Sequence, residues 1–277
     1  MSGQITGSAR CALCPHGCVL APSQTGRCLA RANQGGTVLP LSYGAYSAIA
    51  LDPIEKKPLY HFCPGKKVLS IGGYGCNMHC AFCQNDAISQ QPPPADAGMI
   101  TPAQLASAAK NATPNIGVAF TYNEPCVGFE FVRDAAMAVR AAGLKTVLVT
   151  NGFLNSRPWQ ELVGLMDACN IDLKSFREQG YRDLGGALRP VKENIAYAVA
   201  HTHVEVTTLA VPNFADDESD MRAQAAWLAS LNADTPLHIT RYFPRYHFSA
   251  PATDMATLRR LAGVASQYLT YVYLGNC

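Results

Sequence analysis

Seven of the eleven cysteines in this 277-residue chain fall into two clusters whose spacing suits metal chemistry. One cluster, Cys76, Cys80 and Cys83, lies within eight residues. Three thiolates on one loop can ligate three irons of a [4Fe–4S] cubane, which normally takes four protein ligands. The fourth iron then stays open to a substrate or cofactor, like the open position of a catalytic metal site. Zinc is the competing metal, and three buried cysteines without a metal are the third alternative.

The second cluster consists of Cys11, Cys14, Cys18 and Cys28. Four thiolates with a closely spaced first pair and a distant fourth suit either structural zinc or an auxiliary iron–sulfur cluster. The sequence therefore predicts a second metal site and leaves zinc and an iron–sulfur cluster as alternatives for it. The other four cysteines are predicted to be small apolar fillers: Cys63, Cys126, Cys169 and Cys277.

The composition argues against a protein that binds nucleic acid mainly through phosphates and against a secreted or membrane-spanning protein. The 22 Lys and Arg residues nearly balance 20 Asp and Glu residues, which argues against a broad basic surface that binds nucleic acid through phosphates. The first ten residues do not resemble a secretory signal, and no apolar run reaches the roughly 18 residues of a membrane span. We therefore expect a cytoplasmic protein without membrane partners, in which thiols serve as ligands rather than as disulfides.

Seven short apolar runs after residue 65 are predicted to be strands, and the amphipathic stretches between them are predicted to be helices. The strand predictions are 68–71, 116–122, 146–150, 170–173, 204–211, 237–243 and 271–274. The helix predictions are one that follows the N-cap Thr101, then 128–142, 159–166, 191–200, 219–231 and 254–268.

This alternation predicts a parallel sheet with crossover helices, and about 210 residues fit a partial barrel better than a closed eight-stranded one. The predicted fold is therefore α/β, a partial (β/α)6 TIM-like barrel over residues 66–277. Residues 1–65 are predicted to form a Cys-rich extension that packs on the barrel and that a metal helps to hold together, because they are poor in apolar periodicity. A flexible tail is the alternative.

Polar residues follow the predicted strands at the edge where barrels build active sites. Asn123 and Glu124 come after the second strand, Asn151 after the third, and Asp172 and Lys174 at the end of the fourth. A turn that uses Asn and Pro, and an ion pair between Asp172 and Lys174, are the structural alternatives.

Glu205 interrupts a later apolar strand. A buried polar group is costly unless it is used or paired, so Glu205 is predicted either to contact the cofactor or substrate or to belong to a buried structural pair.

The spacing C-x3-C-x2-C, with Phe82 before its last cysteine, resembles the radical S-adenosylmethionine (radical SAM) superfamily. Other segments resemble one subgroup, the AmmeMemoRadiSam-system radical SAM proteins, which is related to pyruvate formate-lyase activating enzymes. This similarity runs over nearly the whole chain and rests on residues 52–62 (DPIEKKPLYHF), 122–125 (YNEP), 172–174 (DLK) and 272–276 (VYLGN).

The resemblance implies a [4Fe–4S] cluster on Cys76, Cys80 and Cys83, with SAM chelating the open iron. A reduced cluster in this family cleaves SAM to methionine and a 5′-deoxyadenosyl radical, which abstracts hydrogen from a substrate. The resemblance also implies that Phe82 lies beside the adenine and Glu124 at the SAM amino group. With the strand-end residues and Glu205 singled out above, they complete the predicted cofactor-binding set: Phe82, Asn123, Glu124, Asn151, Asp172, Lys174 and Glu205.

Two departures from the family pattern matter. Tyr-Asn-Glu at 122–124 stands where the family has Gly-Gly-Glu or a similar motif, so Glu124 is the stronger candidate and Asn123 the weaker one. Val149 stands where activating-enzyme relatives have an Asp, which argues against the cation site that those relatives build there.

The predicted function is a radical SAM oxidoreductase of the activating-enzyme type, acting on a glycine of a partner glycyl-radical enzyme. A small molecule or RNA is the alternative substrate, although the near-neutral charge argues against RNA. A ferredoxin-like electron carrier or a zinc-stabilised binding module is the alternative of another class. The expected partners are a flavodoxin- or ferredoxin-type electron donor and a protein substrate, and the need for electrons favours iron–sulfur over zinc at the N-terminal cysteines.

Overall fold

The computed structural model describes residues 7–41 and 43–277, and this part of the chain contains fourteen strands and eight α-helices. The strands are β1 (Ala9–Arg10), β2 (Val19–Leu20), β3 (Arg31–Gln34), β4 (Thr37–Pro40), β5 (Ala45–Tyr46), β6 (Ala48–Pro53), β7 (Lys67–Gly72), β8 (Gly98–Met99), β9 (Gly117–Phe120), β10 (Lys145–Thr150), β11 (Ala168–Asp172), β12 (His203–Ala210), β13 (Leu237–Arg241) and β14 (Val272–Gly275). The helices are α1 (Asp86–Ser89), α2 (Pro102–Asn111), α3 (Phe129–Ala141), α4 (Ser156–Val163), α5 (Glu178–Asp183), α6 (Leu188–Val199), α7 (Glu218–Asn232) and α8 (Met255–Ala265). None of these helices has the length and apolar character needed to cross a bilayer.

The central sheet has eight strands in the order β14-β13-β12-β11-β10-β9-β7-β6. Within this sheet, β7 and the strands β9 to β14 pair in parallel, and β6 pairs antiparallel with β7 at one edge. Six helical crossovers connect the parallel strands in chain order. This arrangement confirms the predicted α/β partial barrel.

Six of the eight helices form in the segments where the sequence pattern predicts them, and the two short helices α1 and α5 were not predicted. Helix α2 begins at a capping box in which the Thr101 side chain accepts from the Gln104 backbone N–H, and the Gln104 side chain accepts from the Thr101 N–H. Helix α3 buries Phe131, Val132 and Val139 at helical spacing against the outer face of the sheet. The crossover helices thus cover one face of the sheet and leave the strand ends free to carry polar residues.

Strand β6 was not among the sequence predictions. It lies inside the predicted extension 1–65, yet all six of its residues pair with β7, for example Leu51 with Leu69. The chain then crosses the inner face of the sheet as residues 54–62, which we call the plug segment. Its Ile54 and Leu59 are fully buried and pack with inward-facing residues of four neighbouring strands: Val68, Ala119, Val147 and Ala168.

The remainder of the extension packs on the barrel through specific contacts. Arg31 forms a two-point ion pair with Glu130 of α3, with both nitrogen–oxygen distances at 2.6 Å. The Asn155 side chain donates to the Ala12 carbonyl (2.7 Å), and its backbone N–H donates to the Leu13 carbonyl (3.0 Å). These contacts fix the N-terminal cysteines relative to the barrel.

Candidate active site

A cavity of about 360 Å³ lies at the C-terminal ends of the parallel strands. The three motif cysteines line it, as does polar side-chain surface from β10 to β13 and from the loops beyond. Lys57 and Pro58 of the plug segment also contribute to its wall. Six of the seven predicted cofactor-binding residues line this one cavity: Phe82, Asn123, Glu124, Asn151, Asp172 and Lys174.

The cysteine loop begins directly after β7 and turns at Gly75. Gly75 has a φ of +82°, and a Cβ at this position would lie 2.3 Å from the Cys28 carbonyl oxygen, so only glycine fits. The loop then bends back on itself, with the Cys83 N–H donating to the Cys80 carbonyl (3.1 Å) and the Met78 N–H donating to the Cys76 sulfur (3.3 Å). The three thiols are thereby held on one wall of the cavity.

The donor chemistry of this wall fits an iron–sulfur cluster. Burial raises the pKa of the Cys80 thiol to about 11 and raises the pKa of Cys76 well above its ordinary value, which favours the protonated thiols. A bound cation reverses this balance, because it favours the thiolate and releases the proton. Within residues 7–41 and 43–277, no three His, Cys, Asp or Glu side chains converge on the position of a single metal ion.

Phe82 is held rigidly beside the cysteines. Its ring is buried and packs against Phe214 and Phe248, with ring centroids 5.3 and 6.2 Å away. The preceding Ala81 carbonyl accepts from the His247 N–H (2.9 Å). The aromatic wall of the cavity therefore depends on loops that follow β12 and β13.

Glu124 is a buried carboxylate at the end of β9. It accepts from the Thr150 hydroxyl (2.7 Å), the Asn151 N–H (2.7 Å) and the Cys126 N–H (3.0 Å). Burial nevertheless raises the pKa of Glu124. The Cys126 side chain adds a fourth contact, and the carboxylate still forms part of the cavity wall.

The two asparagines contact the cysteine loop. The Asn123 side chain accepts from the Gly73 N–H (2.9 Å) and donates to the Gly75 carbonyl (3.0 Å). The Asn151 side chain donates to the side-chain oxygen of Asn77 (2.9 Å) and lies 3.7 Å from the Cys76 sulfur. Asn77 was not predicted as a site residue, although it stands between the motif cysteines Cys76 and Cys80.

Asp172 and Lys174 face the cavity together from the end of β11, as alternation along one strand face predicts. The Lys174 Nζ atom lies 2.8 Å from an Asp172 carboxylate oxygen. Burial disfavours the ammonium, but the Asp172 carboxylate and the nearby Cys80 raise the pKa of Lys174 overall. The pair thus presents a charged lysine and a carboxylate next to the thiols.

Glu205 lies elsewhere. It is fully buried in the first half of β12, outside the set of cavity-lining residues. Its carboxylate accepts from the backbone N–H groups of Tyr60 (2.9 Å) and His61 (2.8 Å) and from the rings of His203 (3.0 Å) and His238 (2.7 Å). The structure therefore places Glu205 as the anchor of the plug segment, which corresponds to the structural alternative and not to cofactor contact.

A buried charged group at the cavity wall was also missed. The Lys57 ammonium lies 2.8 Å from an Asp52 carboxylate oxygen and 4.5 Å from the centre of the Tyr122 ring. The Tyr122 hydroxyl donates to the same carboxylate (2.6 Å). Lys57 and Lys56 had no signal in the sequence beyond the family resemblance, because two adjacent lysines also suit a solvated turn.

The N-terminal cysteines come together in a second, smaller cavity. Cys11, Cys14, Cys18 and Cys28 all line it. Burial raises the pKa of Cys14 to about 12, and the charges of the other three cysteines add to this effect. The four thiols are therefore close neighbours, as the sequence clustering predicted.

Comparison with known proteins gives this site a family context. The sequence model of the Radical SAM superfamily matches residues 70–224. The uncharacterized protein MJ0808 of Methanocaldococcus jannaschii is 36% identical over 273 residues, which cover 96% of this chain and 81% of the relative.

Two solved structures share the fold at low sequence identity. A domain of a pyruvate-formate lyase-activating enzyme from Bacteroides vulgatus aligns with a TM-score of 0.52 at 18% identity, over 58% of this chain and 99% of that domain. Streptococcus suis SuiB bound to its precursor peptide SuiA aligns with a TM-score of 0.60 at 15% identity, over 81% of this chain and about half (51%) of that protein.

Proposed function

Because this chain belongs to the radical SAM superfamily, we propose that it reductively cleaves SAM at a [4Fe–4S] cluster held by Cys76, Cys80 and Cys83. The observation that carries the proposal is the single cavity into which these three thiols and the polar strand ends converge. When bound, the cluster supplies the electron that splits SAM into methionine and a 5′-deoxyadenosyl radical.

The chain's own residues bind and orient the cofactor. In this proposal Glu124, at the cavity wall, accepts from the SAM amino group, and the Lys174 ammonium pairs with the SAM carboxylate. Phe82, rigid against Phe214, lies beside the adenine. Asn123 and Asn151 hold the cysteine loop at fixed distance from Glu124, because each of them contacts that loop or a cysteine in it.

We propose a glycine of a partner protein as the hydrogen donor, as in the activating-enzyme subgroup. The similarity to the fold of the pyruvate-formate lyase-activating domain supports a protein substrate, and the S. suis protein with this fold is described with a precursor peptide bound. A small-molecule substrate is the alternative. An electron carrier or a zinc-stabilised binding module would not need the polar strand ends that surround the thiols.

Isotope transfer distinguishes these substrates. Extract from cells grown on Cα-deuterated glycine is separated into protein and small-molecule fractions, and each is incubated with the reduced enzyme and SAM. Deuterium in 5′-deoxyadenosine from the protein fraction alone is the expected result. Label that arises only from the small-molecule fraction of fully deuterated cells would refute the glycine proposal.

The cofactor assignment has its own spectroscopic test. Addition of SAM to the reduced protein should change the electron paramagnetic resonance signal of the cluster, because SAM binds the open iron. Cys80→Ala should abolish the part of the signal that responds to SAM, and Cys277→Ser, at an exposed cysteine, should keep it. A signal that is unaffected by SAM would contradict the assignment.

A further inference from the structure

We propose that Cys11, Cys14, Cys18 and Cys28 bind a second iron–sulfur cluster, and that this cluster is where electrons enter the protein. The electron-entry part rests on the proposed function, because the acceptor is the cluster held by Cys76, Cys80 and Cys83. Four thiols that line one cavity provide the complete protein ligand set of a [4Fe–4S] cluster, with no iron left open for a substrate.

The arrangement of the four thiols favours a cluster over zinc. Tetrahedral zinc at about 2.3 Å from each sulfur requires sulfurs about 3.8 Å apart. No three of these thiols are arranged around one such ion. A cubane spreads its four thiolates over four irons, so they need not converge on one ion.

The position of the site favours a redox role. The Cys76 N–H donates to the Cys28 carbonyl (3.2 Å), so a ligand of the active-site cluster is hydrogen-bonded to a proposed ligand of the N-terminal cluster. A second contact joins the two loops. The ring of His16, which lies between Cys14 and Cys18, donates to the carbonyl of Asn77, the residue after Cys76 (2.8 Å). A redox centre at this position gains a continuous path of covalent and hydrogen bonds to the active-site cysteines.

The step itself is a single-electron transfer. A reduced flavodoxin-type donor loses one electron, the N-terminal cluster takes it up and passes it on, and the active-site cluster ends one electron more reduced. No covalent bond changes and no proton needs to move. The exposed arginines Arg10 and Arg27 flank the N-terminal site, and their charge suits an acidic donor protein.

Metal content after anaerobic reconstitution tests the site. The wild type should hold about eight irons, and two complementary variants should each hold about four. The first, Cys76→Ala/Cys80→Ala/Cys83→Ala, leaves the N-terminal site untouched. The second is Cys14→Ser/Cys28→Ser. A triple variant that contains zinc without iron would overturn the second cluster.

The same pair of variants separates the two proposals. A folded Cys14→Ser/Cys28→Ser protein without iron would refute the active-site cluster, while iron in the triple variant would still support the N-terminal one. Circular dichroism confirms that each variant is folded. The triple variant remains informative even if the N-terminal variant fails to fold.

Reduction kinetics test the electron path. Reduction of the active-site cluster by a reduced flavodoxin, followed by freeze-quench electron paramagnetic resonance, should slow by about tenfold or more in Cys14→Ser/Cys28→Ser. Reduction by dithionite, a small molecule that reaches the cavity directly, should not change. Equal flavodoxin rates in wild type and variant would overturn electron entry at this site.

A glycine variant probes the contact without removing a ligand. Gly75→Ala would push the cysteine loop away from the Cys28 carbonyl, because the new Cβ would lie 2.3 Å from that oxygen. Because the same change strains the cysteine loop itself, the flavodoxin-driven and dithionite-driven rates are compared in the fraction of the variant that carries its full iron, and only the flavodoxin-driven rate should fall. Gly73→Ala is the matched control, since its Cβ would make only ordinary contacts at 3.7 Å or more. An unchanged rate in Gly75→Ala with a wild-type rate in Gly73→Ala would show that the contact does not carry the electron.

Discussion

Replacing Glu205 by glutamine removes the charge that anchors the plug segment beneath the active site. Four donors point at this carboxylate, two from the plug backbone and two from histidine rings. A glutamine keeps one oxygen but turns an NH2 group toward donors, so at least one buried donor loses its acceptor. We therefore expect Glu205→Gln to destabilise the fold and to loosen Lys57 and Pro58 at the cavity wall.

The magnitude follows from the charge state. Burial raises the pKa of Glu205, but the four hydrogen bonds outweigh burial and lower it from 4.5 to about 2. This difference corresponds to about 3 kcal/mol of stabilisation at pH 7. Because the folded-state pKa is the lower one, the contribution is complete above the unfolded value and is lost as the pH falls from 4.5 towards 2. By this linkage about two-fifths of it remains at pH 3.

Urea unfolding of the metal-free protein at pH 7 and pH 3 measures this effect. The variant should be about 3 kcal/mol less stable than wild type at pH 7, and the gap should narrow by about 2 kcal/mol at pH 3. Glu193→Gln is the control, since its pair with Arg189 is exposed to solvent and contributes little to stability. A gap under 1 kcal/mol at pH 7, or one that does not change with pH, would refute the anchor role of Glu205.

Three further changes probe the cavity wall. Asp52→Asn should lower the free energy of unfolding by about 3 kcal/mol, because it leaves the buried Lys57 ammonium unpaired. In urea unfolding, Lys57→Met in the same chain should restore much of this loss, and strictly additive effects in the double variant would contradict the pairing. Glu124→Gln should weaken SAM binding about tenfold or more, because one buried acceptor oxygen becomes a donor. Equilibrium dialysis measures the SAM affinity of this variant and of the exposed control Glu178→Gln, and equal affinities would argue against a SAM contact. Lys174→Met should also weaken SAM binding, most at low ionic strength, and an affinity that matches wild type at all salt concentrations would remove Lys174 from the site.

The sequence predicted the barrel because its strands and helices carry local signals. Apolar runs such as 170–173 and 204–211 lie on β11 and β12, and the capping residues at 101–104 begin α2. Strand β6 (Ala48–Pro53) was not predicted because it lies at a sheet edge, where its residues are only partly buried, and within a region rich in Gly and Pro. The predicted boundary at residue 65 consequently falls between two paired strands.

The candidate site was predictable where its residues follow strands. Glu124, Asn151, Asp172 and Lys174 meet in one cavity because parallel strands end at the same edge. Glu205 was recognised as a polar residue that must be used or paired, but its partners at Tyr60 and His61 are about 145 residues away in sequence. Long-range crossings such as the plug segment leave no periodic signal, and only the three-dimensional structure identifies the partner.

The most direct test of the proposed function is the release of 5′-deoxyadenosine. Anaerobically reconstituted protein is reduced with dithionite, incubated with SAM and analysed by liquid chromatography with mass detection. Equal amounts of 5′-deoxyadenosine and methionine should accumulate, and Cys76→Ala, Cys80→Ala and Cys83→Ala should each abolish both products while Cys277→Ser retains them. A wild-type protein that carries its iron and binds SAM, yet forms no 5′-deoxyadenosine with either dithionite or flavodoxin, would contradict the account.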